Sequence, residues 1–212
     1  MRTLLKDGFI IDGTGSAKRK ADLLIRNDII EAVGNISPAT ADKIIEVKDK
    51  CVSPGFIDAH SHNDWFAARK EKEKYFAPFA EQGITTQITG NCGFSPFGFE
   101  KGTVYEGLLG SGLFSRGDAE GDFSRLRGFA EACGKTVLNI VPLYGHMSGR
   151  ISIQGYENTG LGPEGHKRLD SQIEQAFDDG AWGLSFGLMY EPDRYAPYSE
   201  LKRAAEITAR RG

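Results

Sequence analysis

Apolar residues in the first 52 positions fall in short runs rich in Ile, Val and Leu. "TLLKDGFIID", "ADLLIRNDIIEAVG" and "KIIEVKDKCVS" read as strands. "DGTGS", "RND" and "NISPATAD" break them, because Gly, Asn, Asp and Pro supply the dihedrals of tight turns. The pieces are short and antiparallel in character, and no helix is needed. Residues 1–52 are therefore expected to form a small β-sandwich segment.

After Cys51 the rhythm changes. "CVSPGFIDA", "GITTQIT", "TVLNIVPLYGH" and "WGLSFGL" are strand candidates. Helical stretches alternate with them. One surrounds Tyr75–Glu81. "DFSRLRGFAEACG" places Phe123, Leu126, Phe129 and Ala130 at helical spacing. "GPEGHKRLDSQIEQAFDDGA" carries Pro163 near its first turn. "SELKRAAEITARRG" offers Ser199 as N-cap and Gly212 as stop. The segment 93–121 is too rich in glycine for a helix and reads as a long loop of the lid or mobile kind. Strand and helix alternate four times, which predicts parallel βα units. Residues 53–212 allow about 40 positions per unit. A complete eight-unit barrel takes about 250. The expected fold is α/β: either an open sheet or a partial (β/α)8 TIM barrel of about four units.

Composition narrows the function. The chain has 212 residues, 40% of them hydrophobic, and a net charge of −3. "ARKEKEKY" alternates in sign and reads as a solvated face, so no nucleic acid is expected as partner. No apolar run reaches the ~18 residues of a membrane span, and the N-terminus lacks the apolar stretch of a signal peptide. Three widely spaced cysteines make no disulfide framework, so a cytoplasmic location is expected.

Candidate chemistry collects at strand ends. His60 and His62 close the first strand of the second part, and at a spacing of two both rings point to one side. They read either as ligands of one cation or as polar residues where a strand stops. Asp58 and Asp64 flank them as further ligands or as acceptors that orient the rings; Asp64 reads better as an N-cap or surface residue. Cys92, in "ITGNCGFSP", follows the next strand at the same end. Its thiolate is either a third ligand, for which zinc suits the mixed nitrogen and sulfur set, or a packed thiol. Cys51 and Cys133 read as structural. His146 follows the third strand, as a residue that touches substrate or positions a neighbour, or as a hydrogen-bonded core residue. Arg150 reads as a surface ion-pair partner or a carboxylate contact, and His166 as exposed. Tyr190, after the fourth strand, offers a hydroxyl to a ligand or packs under Pro192. No nucleophile elbow, phosphate loop, CxxC pair or dinucleotide fingerprint is present.

"PGFIDAHSHND" resembles the first metal-binding strand of the amidohydrolase superfamily. "GITTQITGNCGFS", "YGHMSGR" and "GAWGLSFGLMYEPDRYA", in that order, resemble its N-acyl-D-amino-acid deacylase (D-aminoacylase) branch, as does the opening "DGFIIDGTGSAKRKADLLIRNDIIEAVG". The resemblance covers nearly the whole chain. It implies a β-sandwich beside a (β/α)8 barrel, and residues 53–212 would be the first half of that barrel. It implies hydrolysis of the amide of small N-acyl-D-amino acids with one or two Zn2+ ions. His60, His62 and Cys92 would be metal ligands, with Tyr190 on the substrate; His146 is grouped with Tyr190 as a substrate contact by its position after the third strand, not by the resemblance. The family's two further histidines and its catalytic aspartate would lie beyond Gly212, so no catalytic residue is expected within this chain. Such a piece is expected to be inactive alone and to self-associate through exposed barrel edges. "HSHND" departs from the frequent "HTHDD" and bears on substrate preference. The alternatives are a dihydropyrimidinase- or hydantoinase-like cyclic amidohydrolase and a non-catalytic metal-binding module.

Overall fold

Short β-branched runs and longer apolar periodicities fall in different units of the chain. A computed structural model describes residues 1–109 and 114–211. They form two units, Met1–Gly55 and Phe56–Gly212.

The first unit holds β1 (Arg2–Ile10), β2 (Arg19–Arg26), β3 (Ile29–Gly34), β4 (Lys43–Glu46) and β5 (Cys51–Val52). They form one sheet in the order β3-β2-β1-β4, with β5 also paired to β1. The antiparallel expectation holds for β1, β2 and β3. It fails for β4 and β5, which run parallel to β1. The reason is the connection 35–42, whose turn Pro38–Thr40 returns the chain to the far side of β1 in the same direction. Leu4, Ile10, Leu23 and Leu24 are buried.

Asp22 is the buried polar anchor of this unit. Its carboxylate accepts the N–H groups of Asp7 at 2.8 Å and Ile36 at 3.0 Å, with Lys6 Nζ at 3.5 Å. Burial works to raise its pKa, but these hydrogen bonds and Lys6 outweigh it and hold the group below its ordinary 3.8.

The second unit contains β6 (Phe56–Asp58), α1 (Asp64–Ala67), α2 (Glu73–Ala80), β7 (Ile84–Thr89), α3 (Leu126–Cys133), β8 (Asn139–Gly145), α4 (His146–Gln154), α5 (Pro163–Asp178), β9 (Gly183–Ser185) and α6 (Tyr198–Arg211). The sheet order is β6-β7-β8-β9 and every pairing is parallel. Parallel neighbours need crossovers, and helices supply each of them. Phe76, Phe97, Phe129, Tyr144, Ile151 and Ile173 belong to the core. All four strands therefore end on the same side, which is where α/β folds place sites.

Several expectations are corrected. Helix α4 was not anticipated, because "HMSGRISIQ" mixes Ser, Gly and Arg into a helix that is buried on nearly all sides. Ala130 is exposed in α3, although Leu126 and Phe129 are buried. Ser199 lies inside α6, which already begins at Tyr198; the expected stop at Gly212 falls outside the described residues. The described part of 93–121 is anchored by Phe97, Phe99 and Leu109, all buried, so apolar packing holds what the glycine content suggested was open loop. Residues 110–113 lie outside the described residues. Among the described residues no helix is long and apolar enough to cross a membrane.

Asp22→Ala should destabilise the chain by about 2 kcal/mol, because two backbone donors lose their acceptor. Urea denaturation measures this. The folded-state pKa is depressed, so the contribution is fully present above pH 3.8 and is lost as pH falls through the lower folded value. The gap between wild type and Asp22→Ala should therefore narrow in acid.

Candidate metal centre

The ends of β6 and β7 bring three donors together. One ligand atom from each of His60, His62 and Cys92 lies within 4.8 Å of the others. Cys92 Sγ stands 3.4 Å from His60 Nε2, and the two imidazole rings are 5.5 Å apart, edge to face. Backbone bonds hold these positions. Ser61 N–H donates to Ile88 O at 3.0 Å, extending the β6–β7 pairing past the strand end. Asn91 Nδ2 donates to Ser61 O at 3.2 Å and to Ile88 O at 2.8 Å, tying the cysteine turn to the histidine turn. Asp58 accepts His60 N–H at 3.2 Å and Gln87 Nε2 at 3.3 Å. Asn63 Nδ2 reaches Gln87 Oε1 at 3.2 Å. That contact is what the asparagine of "HSHND" does in this structure.

Cys92 has φ +56°, a left-handed conformation that strains a residue carrying a Cβ. The turn around it is pinned from β8 and β9. Gly93 N–H donates to Ser185 Oγ at 2.9 Å, and Ser185 Oγ in turn donates to Gly90 O. Ser148 N–H donates to Gly93 O at 3.0 Å. A Cβ added to Gly187 would meet Cys92 O at 2.2 Å, so only glycine lets β9 approach that closely.

Burial lowers the His62 pKa, and neighbouring His60 lowers it further. A neutral imidazole with a free lone pair is the form a cation takes. His62 Nδ1 is buried with no hydrogen-bond partner among the described residues. Phe114 packs 4.8 Å from the His62 ring and also touches Trp65 and Phe94, giving the histidine an apolar wall. Asp64 is fully buried at the start of α1, not on a surface loop. Burial pushes its pKa up to about 8, against a partial offset from the N–H groups of Gly90, Trp65 and its own residue. Two imidazoles and a thiol are a donor set that fits zinc.

The other candidates do not join the cluster. His146 has no exposed surface; its Nδ1 is 2.8 Å from Asp193 Oδ1. Arg150 is buried, not a surface residue, and pairs with Glu200. His166 is partly buried, 3.8 Å from Glu200. Tyr190 is 52% exposed. Cys133 is buried, with its thiol pushed up to about 12 by that burial, whereas Cys51 is exposed. Asn91, Ser185, Asp193 and Phe114 escaped the sequence reading. Only Asn91 carried a signal, by sitting between glycine and the candidate cysteine.

No family model matches the chain. The chain is 32% identical over 213 residues to an N-acyl-D-glutamate deacylase of Alcaligenes xylosoxydans xylosoxydans, covering 99% of this chain and 42% of that protein. A solved structure of a D-aminoacylase, described for the functional role of its binuclear metal centre, superposes with a TM-score of 0.83 at 30% identity, over 99% of this chain and 43% of that one. An N-acyl-D-glutamate deacylase from Bordetella bronchiseptica, complexed with zinc and a phosphonate inhibitor, gives the same TM-score at 29% identity and the same coverage. The chain thus spans about two-fifths of the length of these relatives.

Cys92→Gly should relieve the left-handed strain and leave the metal-free protein at least as stable as wild type, by up to about 1 kcal/mol. Gly187→Ala should cost about 2 kcal/mol or more, since the new methyl overlaps a backbone carbonyl. Paired urea melts of the metal-free proteins measure both.

Proposed function

We infer that this chain, which corresponds along nearly its whole length to N-acyl-D-amino-acid deacylases of the amidohydrolase superfamily, supplies the first metal-binding half of such an enzyme. The activity proposed for the whole enzyme is zinc-dependent hydrolysis of the amide in N-acyl-D-amino acids, releasing a carboxylate and a free D-amino acid. The observation that carries the reading is the meeting of His60, His62 and Cys92 at adjacent strand ends. In this reading the four parallel strands are the first four βα units of a (β/α)8 barrel, residues 53–212. Residues 1–52 are then part of a β-sandwich. The names of the relatives favour a linear amide over the cyclic-amide alternative.

His60, His62 and Cys92 would hold one Zn2+ or share a pair. Bound zinc supplies Lewis-acid polarisation of the amide carbonyl and makes water a stronger acid. The chain's own residues do the rest of the work at this end of the sheet. Burial keeps His62 neutral and able to bind. Phe114 and Trp65 keep bulk water from one side of it. Tyr190, exposed after β9, offers its hydroxyl to the substrate. His146, expected on the substrate, is fully buried against Asp193 and bears on the site only through that contact. The proton-accepting aspartate and the two further histidines implied by the family have no counterpart assigned among these 212 residues.

The purified 212-residue chain should bind near-stoichiometric zinc, and His60→Ala or Cys92→Ala should weaken binding at least tenfold, as read by metal analysis after dialysis. Absence of zinc from wild type would end the metal reading. The same protein should show no turnover of N-acetyl-D-amino acids at an ordinary enzyme rate; turnover would mean that a base is present here. Phe56 and Ile57, 59% and 64% exposed on the β6 edge, together with Trp182 at 77% beside β9, should drive self-association. A monomer in sedimentation at tens of micromolar would refute that.

A further inference from the structure

We propose that the buried Asp193–His146 pair is a positioning device that holds the Cys92 turn in its left-handed conformation. The proposal rests on the reading of Cys92 as a ligand only for its functional meaning, not for its geometry. Asp193 follows β9, and His146 is the first residue of α4. Neither side chain has any exposed surface. Asp193 uses both oxygens. Oδ1 is 2.8 Å from His146 Nδ1, and Oδ2 accepts Gly187 N–H at 2.8 Å. Gly187 is the residue packed on the Cys92 carbonyl. A Cβ at Gly93 would meet Gly187 N at 2.7 Å and Asp193 Oδ2 at 2.9 Å. The carboxylate therefore lies directly beneath the residue after Cys92, and touches the one beside it.

A second buried pair lies behind it. His146 Nε2 is 3.6 Å from Glu200 Oε1 on α6, beyond hydrogen-bond distance, and makes no hydrogen bond among the described residues. Glu200 pairs with buried Arg150, whose Nη2 donates to Thr159 O at 2.7 Å. Burying two carboxylates, a guanidinium and an imidazole carries a large desolvation penalty, and apolar residues of similar volume would usually stabilise a core as well or better. What apolar residues cannot do is accept the Gly187 N–H and fix where β9 meets the cysteine turn. The pair thus spends stability on the placement of one thiol.

Hydrogen exchange and cobalt titration on the whole 212-residue chain test this. In metal-free Asp193→Ala, exchange at the Gly93 and Gly187 amides should accelerate at least tenfold while amides in Ile84–Thr89 are unchanged. Co2+ affinity should fall at least tenfold, with weakening of the thiolate-to-cobalt absorption band. Asp193→Asn keeps one acceptor oxygen and can donate to the other tautomer of His146, so it should recover most of both signals. Unchanged exchange at Gly93, or equal acceleration throughout the sheet, would overturn the proposal. If wild type gives no cobalt–thiolate band, the metal reading fails while the exchange data still decide the positioning role. Should Asp193→Ala not fold, His146→Gln replaces it, with acceleration of about threefold or more expected at Gly93 and none in Ile84–Thr89; no change at Gly93 refutes the role.

Discussion

A non-glycine residue at φ +56° costs about 1–2 kcal/mol, and Cys92 is held there by contacts from three other strand ends. Glycine would relieve the strain and lose the thiol. Asn91 ties the turn back to Ser61 on the histidine side. Ser148, just after β8, binds Gly93 O, and Ser185 at the end of β9 accepts Gly93 N–H. Each such bond contributes about 1 kcal/mol, enough in sum to offset the strain. The cluster of His60, His62 and Cys92 exists because the four parallel strands stop at one level and their turns interlock.

That interlocking explains where polar groups are buried. Asn63, Gln87 and Asp58 run from α1 through β7 to the His60 backbone. Asp193, His146, Glu200 and Arg150 run from the β9 turn into α4 and α6. One chain braces the histidine turn and the other lies beneath the cysteine turn. Between them the apolar wall of Phe114, Phe94 and Trp65 covers His62. Polar bracing below and aromatic cover on one side leave His60 and Cys92 accessible for a ligand.

The sequence was most informative where period and chemistry coincided. "GITTQIT" and "TVLNIVPLYGH" contain β7 and β8, and the apolar spacing of "GPEGHKRLDSQIEQAFDDGA" matches α5, with Leu169, Ile173 and Ala176 buried. The HxH spacing and a cysteine after the next strand were visible without any coordinates. Helix α4 was not, because a helix buried all round has no polar face to give it a period. The parallel placement of β4 and β5 was also hidden, since strand composition does not encode the direction of pairing. Arg150, expected in a surface ion pair or on a carboxylate, and Asp64, expected as an N-cap or surface residue, are both buried, because burial depends on partners and packing distant in sequence.

By itself, then, the sequence determined which residues could chelate a cation and that alternating strands and helices would put them at one sheet end. Local physics suffices for that: parallel neighbours need crossover helices, so successive strands end on one side. The histidines themselves lie just past β6, which ends at Asp58, so strand alternation does not set their directions. Only the tertiary structure decided that a thiol and two imidazoles would lie within 4.8 Å. That distance depends on a left-handed turn at Cys92, a missing Cβ at Gly187 and a carboxylate at Asp193, brought together from 92 to 193 in the chain. None of these has meaning until the strands carrying them have packed, because close approach and hydrogen-bond satisfaction are properties of neighbours in space.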